Sequence, residues 1–289
     1  MDDTIGHLLL GQSPAMAELL RQLHKVAPTD LAVLIAGESG SGKEAVAKAV
    51  HLLSPRRDHP FVPVNCGTIA PGLIVQPFER AHGGTLLLDE ITGMPPDAQV
   101  ALLRVLEAAP DVRVLASTHR NVDEAMRSGR FREDLMYRLA VFPLRVPPLR
   151  ERGADIELLA RHFLDELNAR EGAAKNFSRP CMQQLMAYAW PGNVRELKNI
   201  VSRAFILADQ IIDAPFAQAP PAHPRPARRD GQIEVAVGTP LAEVQRSLIE
   251  ATLDHFAGDK RAAAATLGVS LKTLYNRLEL YRGSDSPMQ

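Results

Sequence analysis

The sequence of 289 residues predicts an α/β fold, with helices on both faces of a mostly parallel sheet. Four apolar, β-rich segments indicate strands, at residues 31–36, 61–65, 85–88 and 112–116. Strands that alternate with helices form parallel sheets whose two faces are both covered. After Pro147-Pro148 helical spacing continues and no strand is evident, which predicts a small helical domain.

The stretch LAVLIAGESGSGKE, residues 31–44, joins an apolar strand to a helix through a glycine-rich turn. It fits the pattern G-x-x-x-x-G-K, in which backbone N–H groups and a helix N-terminus surround phosphate oxygens. Lys43 would reach the β- and γ-phosphates, whereas Glu44 stands where Ser or Thr usually holds magnesium. An ordinary turn is the alternative, but the flanking strand and helix favour ATP binding. The predicted ATP-binding residues are Gly37, Glu38, Ser39, Gly40, Ser41, Gly42, Lys43 and Glu44.

The apolar strand at residues 85–88 runs directly into Asp89 and Glu90. Downstream of a phosphate loop, this pattern is typical of a second nucleotide-site element. The aspartate would bind the Mg²⁺ shell, and the glutamate would polarise the attacking water. ATP and Mg²⁺ are therefore the predicted cofactors, while hydrolysis of the ATP stays open.

The composition excludes several classes of protein. A net charge of −1 gives no general attraction to nucleic acid, so contact with DNA must come from a local patch. Cys66 and Cys181 suggest buried thiols in a reducing compartment rather than a disulfide framework. No apolar run is long enough to span a bilayer, and residues 1–6 do not resemble a signal peptide. We expect a cytoplasmic protein with no membrane partner.

Four segments follow from these patterns. They are an α/β domain at residues 1–147, a helical domain at 148–213, a proline-rich linker at 214–238 and a C-terminal helical domain at 239–283. Proline at the density seen between Pro215 and Pro226 resists packing, which favours a linker there.

The C-terminal domain is predicted to bind double-stranded DNA. A helix at 260–267, a turn at Gly268 and a second helix capped by Ser270 have helix-turn-helix spacing. The second helix would bury its leucines and turn polar side chains toward a major groove. The predicted DNA-binding residues are Lys272, Thr273, Tyr275, Asn276 and Arg277. An oligomerisation hairpin is the alternative, and pairing through a helix at 241–256 would place two such units on a two-fold site.

Several motifs in order give the chain a family resemblance. They include GESGSGKE, GGTLLLDEI, GRFREDLMYRL, PPLRERGADI and WPGNVRELKN, spread over residues 11–213. With them the chain resembles the AAA+ bacterial enhancer-binding proteins, the sigma-54-dependent transcription activators. Its C-terminal segment is similar to the Fis-type helix-turn-helix of that family. The resemblance implies an AAA+ phosphate-loop sheet, a helical lid domain and a C-terminal all-α DNA-binding domain.

The resemblance also implies roles for single residues. Asn65 matches an asparagine that restrains the catalytic glutamate, and Arg195 matches a sensor arginine on the lid. Arg132 and Arg138 match a pair offered to the γ-phosphate of the neighbouring subunit, which implies a homo-oligomer, from a dimer to a hexameric ring. Such arginines contribute about three to five orders of magnitude in rate. Surface salt bridges are the alternative for each arginine.

Three departures from the family pattern change the expected function. The sequence between Asn65 and Asp89 lacks the GAFTGA loop that grips sigma-54, and only residues 108–110 remain of the family's other pore-side loop. Thr118-His119 replaces the usual Thr-Asn. Few residues precede the match, so control is expected from a partner, a ligand or expression level.

The expected function is a DNA-binding regulator whose ATP-binding module is an oligomerisation switch, acting on RNA polymerase or a partner regulator. The alternative is a mechanochemical ATPase that remodels sigma-54 polymerase, which the missing loop disfavours. A chaperone-like AAA+ machine is disfavoured by the helix-turn-helix.

Overall fold

The computed structural model describes residues 8–108, 110–213, 216, 227–229, 232–234, 241–256, 259–269, 271, 273 and 274. The chain forms two compact units, Met1–Phe216 and Ala217–Gln289. Within the described ranges, no helix is both long and apolar enough to cross a membrane.

The first unit contains a five-stranded sheet in the order β2-β3-β4-β1-β5, and every pairing in it is parallel. Its strands are β1 Val33–Ala36, β2 Phe61–Asn65, β3 Thr85–Asp89, β4 Arg113–Thr118 and β5 Phe142–Arg145. The edge strands β2 and β5 contain Pro63 and Pro143. Proline cannot donate to a strand ladder, so edge positions tolerate it. The strand β5 is not among the strands that the sequence predicts.

Helices cover both faces of this sheet, as predicted. They are α1 Pro14–Val26, α2 Lys43–Leu52, α3 Val75–Arg80, α4 Pro96–Glu107, α5 Val122–Arg127 and α6 Glu133–Leu139. Successive residues of a strand face opposite sides. Leu86 and Leu88 accordingly join one buried cluster with Leu102, whereas Leu87 joins another with Val50.

The helix α1 begins where the sequence predicts, at Ser13-Pro14. The Ser13 hydroxyl accepts a hydrogen bond from the Met16 N–H at 3.4 Å, and Pro14 occupies the first helical turn. Asp155 of the helical domain accepts bonds from the Gln12 and Ser13 N–H groups at 2.6 and 3.0 Å. This carboxylate therefore ties the N-terminal segment to the helical domain.

At the C-terminal end of α1, the last carbonyl groups accept hydrogen bonds from Arg113 of β4. Its guanidinium donates to the carbonyls of Ala27 and Val26 at 2.7 and 2.9 Å, and the residue is only 2% exposed. Burial lowers the pKa of Arg113 to about 10, so it still carries its charge at neutral pH. Cations at helix C-termini are stabilised by the helix dipole.

Arg113→Ala is expected to lower the free energy of unfolding by about 3 kcal/mol, because the Ala27 carbonyl loses its guanidinium donor, the Val26 carbonyl keeps only its bonds from Thr29, and a cavity remains. Chemical denaturation followed by circular dichroism measures this change. Arg104→Ala, at an exposed position of α4, is the matched control and should shift stability by less than about 0.5 kcal/mol. Equal destabilisation by the two changes would contradict the capping role of Arg113.

The helical domain packs three helices around the buried Trp190. These are α7 Asp155–Glu171, α8 Arg179–Ala187 and α9 Asn193–Leu207. The Trp190 indole N–H donates to the carbonyl of Leu185 at 2.9 Å. The expectation that this domain has no strand is wrong, because β6 Asn176–Phe177 pairs in parallel with β7 Ile211–Ile212. Two-residue strands are too short to show a period in the sequence.

In the described part of the second unit, β8 Ala227–Arg229 pairs antiparallel with β9 Gln232–Glu234 as a short hairpin. This hairpin lies inside the segment that the sequence predicts as a linker, so that segment is not uniformly without structure. The helices α10 Leu241–His255 and α11 Lys260–Thr266 follow.

A small core in this unit contains Ile249, Ala263, Ala264 and Leu274. Gly268 has φ +66°, as a tight turn after α11 requires. Among the predicted DNA-binding residues only Thr273 is described, and it is exposed. Ser270, Lys272, Tyr275, Asn276 and Arg277 lie outside the described residues.

Candidate functional site

The loop between β1 and α2 has a backbone that only glycine accommodates at two positions. Gly40 has φ +75° and Gly42 has φ +104°. A Cβ atom on Gly40 would lie 2.4 Å from the carbonyl oxygen of Gly192, so the loop also needs glycine for close packing. The Ser41 hydroxyl is buried without a hydrogen-bond partner among the described residues. An unpartnered buried hydroxyl beside a helix N-terminus fits a loop that binds an external anion.

Lys43 lies beneath this loop rather than on its solvent side. Its side chain is 7% exposed, and its Nζ donates to the carbonyls of Gly37 and Glu38 at 3.0 and 3.2 Å. The same ammonium lies 3.6 Å from Glu90 Oε1. The loop carbonyls provide the partners that allow this charge to be buried.

Asp89 and Glu90 stand at the carboxyl end of β3, next to Lys43. The Ser117 hydroxyl of β4 donates to Asp89 Oδ1 and accepts from the Glu90 N–H at 3.3 Å. Glu90 has φ +56°, a left-handed conformation that is uncommon outside glycine. The structure thus brings together the lysine and both acidic residues that the sequence predicts.

The contacts of Glu90 differ from those that the resemblance implies. The Asn65 side chain accepts from the Gly67 N–H at 2.9 Å, and in the described structure no hydrogen bond joins it to Glu90. Glu90 Oε2 instead contacts His119 Nδ1 and accepts from the His119 N–H at 3.3 Å. The sequence sign that could have indicated this contact is Thr118-His119, which stands where the family pattern has Thr-Asn.

The site could hold a magnesium ion through one carboxylate, but not through a group of protein ligands. Within the described ranges, no three or more His, Cys, Asp and Glu side chains are grouped so that they could hold a metal ion. Mg²⁺ in nucleotide sites usually takes one or two carboxylates and completes its shell with phosphates and water. Asp89, one carboxylate beside the phosphate loop, matches that pattern.

The helical domain contacts the same loop. Arg150 donates to both oxygens of Glu38, and Asn193 donates to one of them at 3.0 Å. The hydrogen bond from Arg150 is the main reason that the pKa of Glu38 falls to about 2. Arg195 reaches the loop through its N–H, 3.3 Å from the Gly40 carbonyl, and through its guanidinium, 3.4 Å from the Ser39 hydroxyl. Arg150 and Asn193 are site residues that the sequence interpretation missed.

A small apolar cavity opens beside Gly42 and Ser41. It lies between the segment before α1, the helix α2 and the helical domain. Its apolar lining consists of Leu8, Leu9, Leu10, Met16, Ala45, Val46, Val146, Leu159 and Val194. Sequence patterns did not indicate this cavity, because its walls come from separate parts of the chain. Arg152 also lines this cavity, whose volume of about 70 Å³ can take only part of a flat ring system attached to phosphates.

Arg132 and Arg138 are outside this site. Arg132 forms an ion pair with Asp134 at 2.7 Å, and Arg138 lies 3.8 Å from Glu107. Both side chains are about half exposed, at 47% and 46%. Within the described structure, neither pairs with Asp89 or Glu90 of its own chain. Their ion-pair partners in the described structure are thus local acidic residues outside the phosphate loop.

Comparison with known proteins places these features in a family. Residues 10–149 match the Sigma-54 interaction domain, 150–216 the AAA+ ATPase lid domain and 240–281 the Bacterial regulatory protein, Fis family. The DNA-binding transcriptional regulator NtrC of Azospirillum brasilense is 39% identical over 329 residues, with 93% of this chain and 68% of the relative covered. The chain belongs to the bacterial enhancer-binding proteins.

Other relatives of this enhancer-binding protein agree. The Transcriptional regulatory protein ZraR of Salmonella typhimurium is 38% identical, with 93% of this chain and 68% of that relative covered. Crystal structures of NtrX from Brucella abortus, in complex with ADP and with ATP, have TM-scores of 0.69 and 0.68 at 33% and 31% identity. Both cover 94% of this chain and 68% of NtrX. The family resemblance and the AAA+ fold class predicted from the sequence are confirmed.

Proposed function

We propose that this enhancer-binding protein is a DNA-binding transcription regulator whose AAA+ module binds ATP and switches its oligomeric state. We further propose that it does not remodel sigma-54 polymerase. The observation that carries this proposal is the compactness of the two connections from which the family's sigma-54 loops arise. Residues 66–84 hold only a single 3-10 turn, Pro71–Leu73, and the six-residue helix α3. The connection from α4 to β4 spans residues 108–112.

The alignment with NtrC is longer than this chain. It runs over 329 residues, whereas this chain has 289, so the relative contains segments with no counterpart here. An output that depends on a projecting loop needs that loop to contact its partner differently in two states. With compact connections, the remaining output is the oligomer itself, which sets how many DNA-binding units act together.

ATP binding is assigned to the phosphate loop, with Lys43 leaving the loop carbonyls for the β- and γ-phosphates. The Ser41 hydroxyl and the N-terminus of α2 face the same oxygens, and the apolar cavity beside Gly42 would take part of the base. Asp89 would hold Mg²⁺, which neutralises phosphate charge when bound. The complexes of NtrX with ADP and ATP support nucleotide as the ligand.

Hydrolysis, where it occurs, would use Glu90 to polarise the water. Arg132 and Arg138 would complete the site of a neighbouring copy, so activity would require a homo-oligomer, up to a hexameric ring. Their exposure outside their own site supports action on a neighbour.

DNA binding is assigned to the match with the Fis family at residues 240–281. The core around Leu274 and the turn at Gly268 support a helix-turn-helix, with Thr273 on its exposed side. Lys272, Tyr275, Asn276 and Arg277 would complete the surface that contacts bases and phosphates. Two copies would pair through α10.

The test is reconstituted transcription with sigma-54 polymerase on a promoter that carries this protein's DNA site. We expect no ATP-dependent open complexes, while ATP increases the affinity for DNA measured in the same buffer. The relative NtrC on its own promoter is the positive control.

The second candidate is the mechanochemical ATPase, which the match of residues 10–149 to the Sigma-54 interaction domain favours. ATP-dependent open complexes that disappear with Glu90→Ala would establish it and overturn the switch. RNA polymerase would then be the direct partner.

A further inference from the structure

The carboxylate of Glu90 is held at both of its oxygens. Oε2 contacts His119 Nδ1 and accepts from the His119 N–H at 3.3 Å, while Oε1 lies 3.6 Å from Lys43 Nζ. A carboxylate only accepts hydrogen bonds, so Nδ1 of His119 carries the hydrogen in this contact. One oxygen thus faces the turn after β4, and the other faces the phosphate loop.

The backbone beneath this carboxylate is fixed as well. Glu90 has φ +56°, and its N–H donates to the Ser117 hydroxyl at 3.3 Å. Ser117 lies at the carboxyl end of β4 and His119 directly follows the strand, while Thr118 between them bonds to Thr92 at 2.8 Å. The end of β4 therefore determines both the main-chain and the side-chain position of Glu90.

We propose that His119 is the positioning residue for Glu90, holding Oε2 so that Oε1 is presented to the water that attacks the γ-phosphate. This inference rests on the proposed nucleotide function. When phosphates draw Lys43 away, Oε1 loses its only cationic neighbour among the described contacts, while Oε2 stays bonded to His119. A base whose second atom is held by an orienting group is the usual arrangement in proton-transfer sites.

Hydrolysis at this site needs no reagent other than ATP and water. The water oxygen forms a bond to the γ-phosphorus, and the bond from that phosphorus to the β–γ bridging oxygen breaks. ADP leaves with the bridging oxygen, and a proton of the water is received at Oε1 of Glu90. His119 neither gains nor loses a proton in this step.

The experiment compares two variants of the full-length chain. His119→Leu removes the donor, whereas His119→Asn places an amide N–H near the position of Nδ1. We expect His119→Leu to lower kcat by about tenfold, part of the roughly 10²–10⁴-fold that a positioned base contributes. KM and the ATP dissociation constant from calorimetry should stay within about twofold. His119→Asn should restore most of the lost kcat.

A second readout needs neither nucleotide nor turnover. The nucleotide-free protein should show non-additive shifts of the unfolding midpoint for His119→Leu and Glu90→Ala, because each change removes one side of the same contact. In the Glu90→Gln background, His119→Leu should cause no further loss of kcat.

Several results would overturn the inference. They are additive midpoint shifts, an unchanged or increased kcat in His119→Leu, or no recovery in His119→Asn. A wild-type protein that binds ATP without hydrolysing it would also overturn it, while leaving the proposed nucleotide switch intact. A wild-type protein that does not bind ATP would overturn the proposed function itself.

Discussion

Arg138→Ala is expected to lower the rate of ATP hydrolysis by about three orders of magnitude while the ATP dissociation constant stays unchanged. Arg138 is 46% exposed and contacts Glu107 of its own chain at 3.8 Å, so its removal leaves the phosphate loop of the same chain intact. The transition state on the neighbouring copy would lose a positive charge. Phosphate release per subunit, measured against protein concentration, and calorimetric ATP titration test both halves of this expectation.

Arg130→Ala is the matched control for Arg138→Ala. Arg130 is also an exposed arginine, at 58%, and its ion pair with Glu124 is local. Its loss should change the rate by less than about twofold, as expected for a surface side chain. A wild-type rate per subunit that does not depend on concentration would contradict action in trans, since the site would then be complete within one chain.

Lys43→Ala is expected to weaken ATP binding by about a hundredfold, because the phosphates lose a charge-assisted donor in a partly desolvated loop. The fold should persist, since the ammonium bonds only to the Gly37 and Glu38 carbonyls and pairs with Glu90. Isothermal titration calorimetry measures the affinity, and circular dichroism confirms that the variant is folded.

Lys48→Ala provides the control on the same helix. Lys48 is 48% exposed and pairs with Glu44 one turn away at 3.5 Å, so it carries the same charge without facing the loop. Equal dissociation constants for Lys43→Ala and the wild type would show that the lysine does not bind phosphate. Equal weakening by both changes would instead indicate a general electrostatic effect.

The parts of the fold that the sequence predicted are those with long local patterns. Strand β3 was found because its leucines form an apolar run before Asp89, and α1 because Ser13-Pro14 marks its start. Strand β5 was missed because FPLR contains a proline and an arginine, and only one of its four residues is buried. Such a segment lacks the continuous apolar run that predicts a buried strand. The pairing of β6 with β7 was missed because each strand has two residues.

For the candidate site as well, the sequence predicted the residues that lie close together along the chain and missed the contacts between distant ones. Gly40, Gly42 and Lys43 are adjacent in the sequence, so their chemistry is visible as a motif. Arg150 contacts Glu38 across a separation of 112 residues, and no local pattern reports such a contact. The partner of Glu90 was also not predictable, because the choice between Asn65 and His119 depends on how the turns after β2 and β4 point.

Asn193 limits which domains of this protein can be exchanged with those of a relative. It is fully buried with φ +54°, accepts from the Leu149 N–H, and donates to Glu38 and to the Ser39 carbonyl. Glu38 lies 155 residues before it, in the other domain of the same unit. A chimera that joined this helical domain to the sheet domain of a distant relative would need a matching glutamate in the phosphate loop, or one buried N–H of the Asn193 amide would lose its acceptor. We therefore expect recombination to exchange these two domains together. The DNA-binding unit forms its own core around Ile249 and Leu274, so it could be exchanged separately.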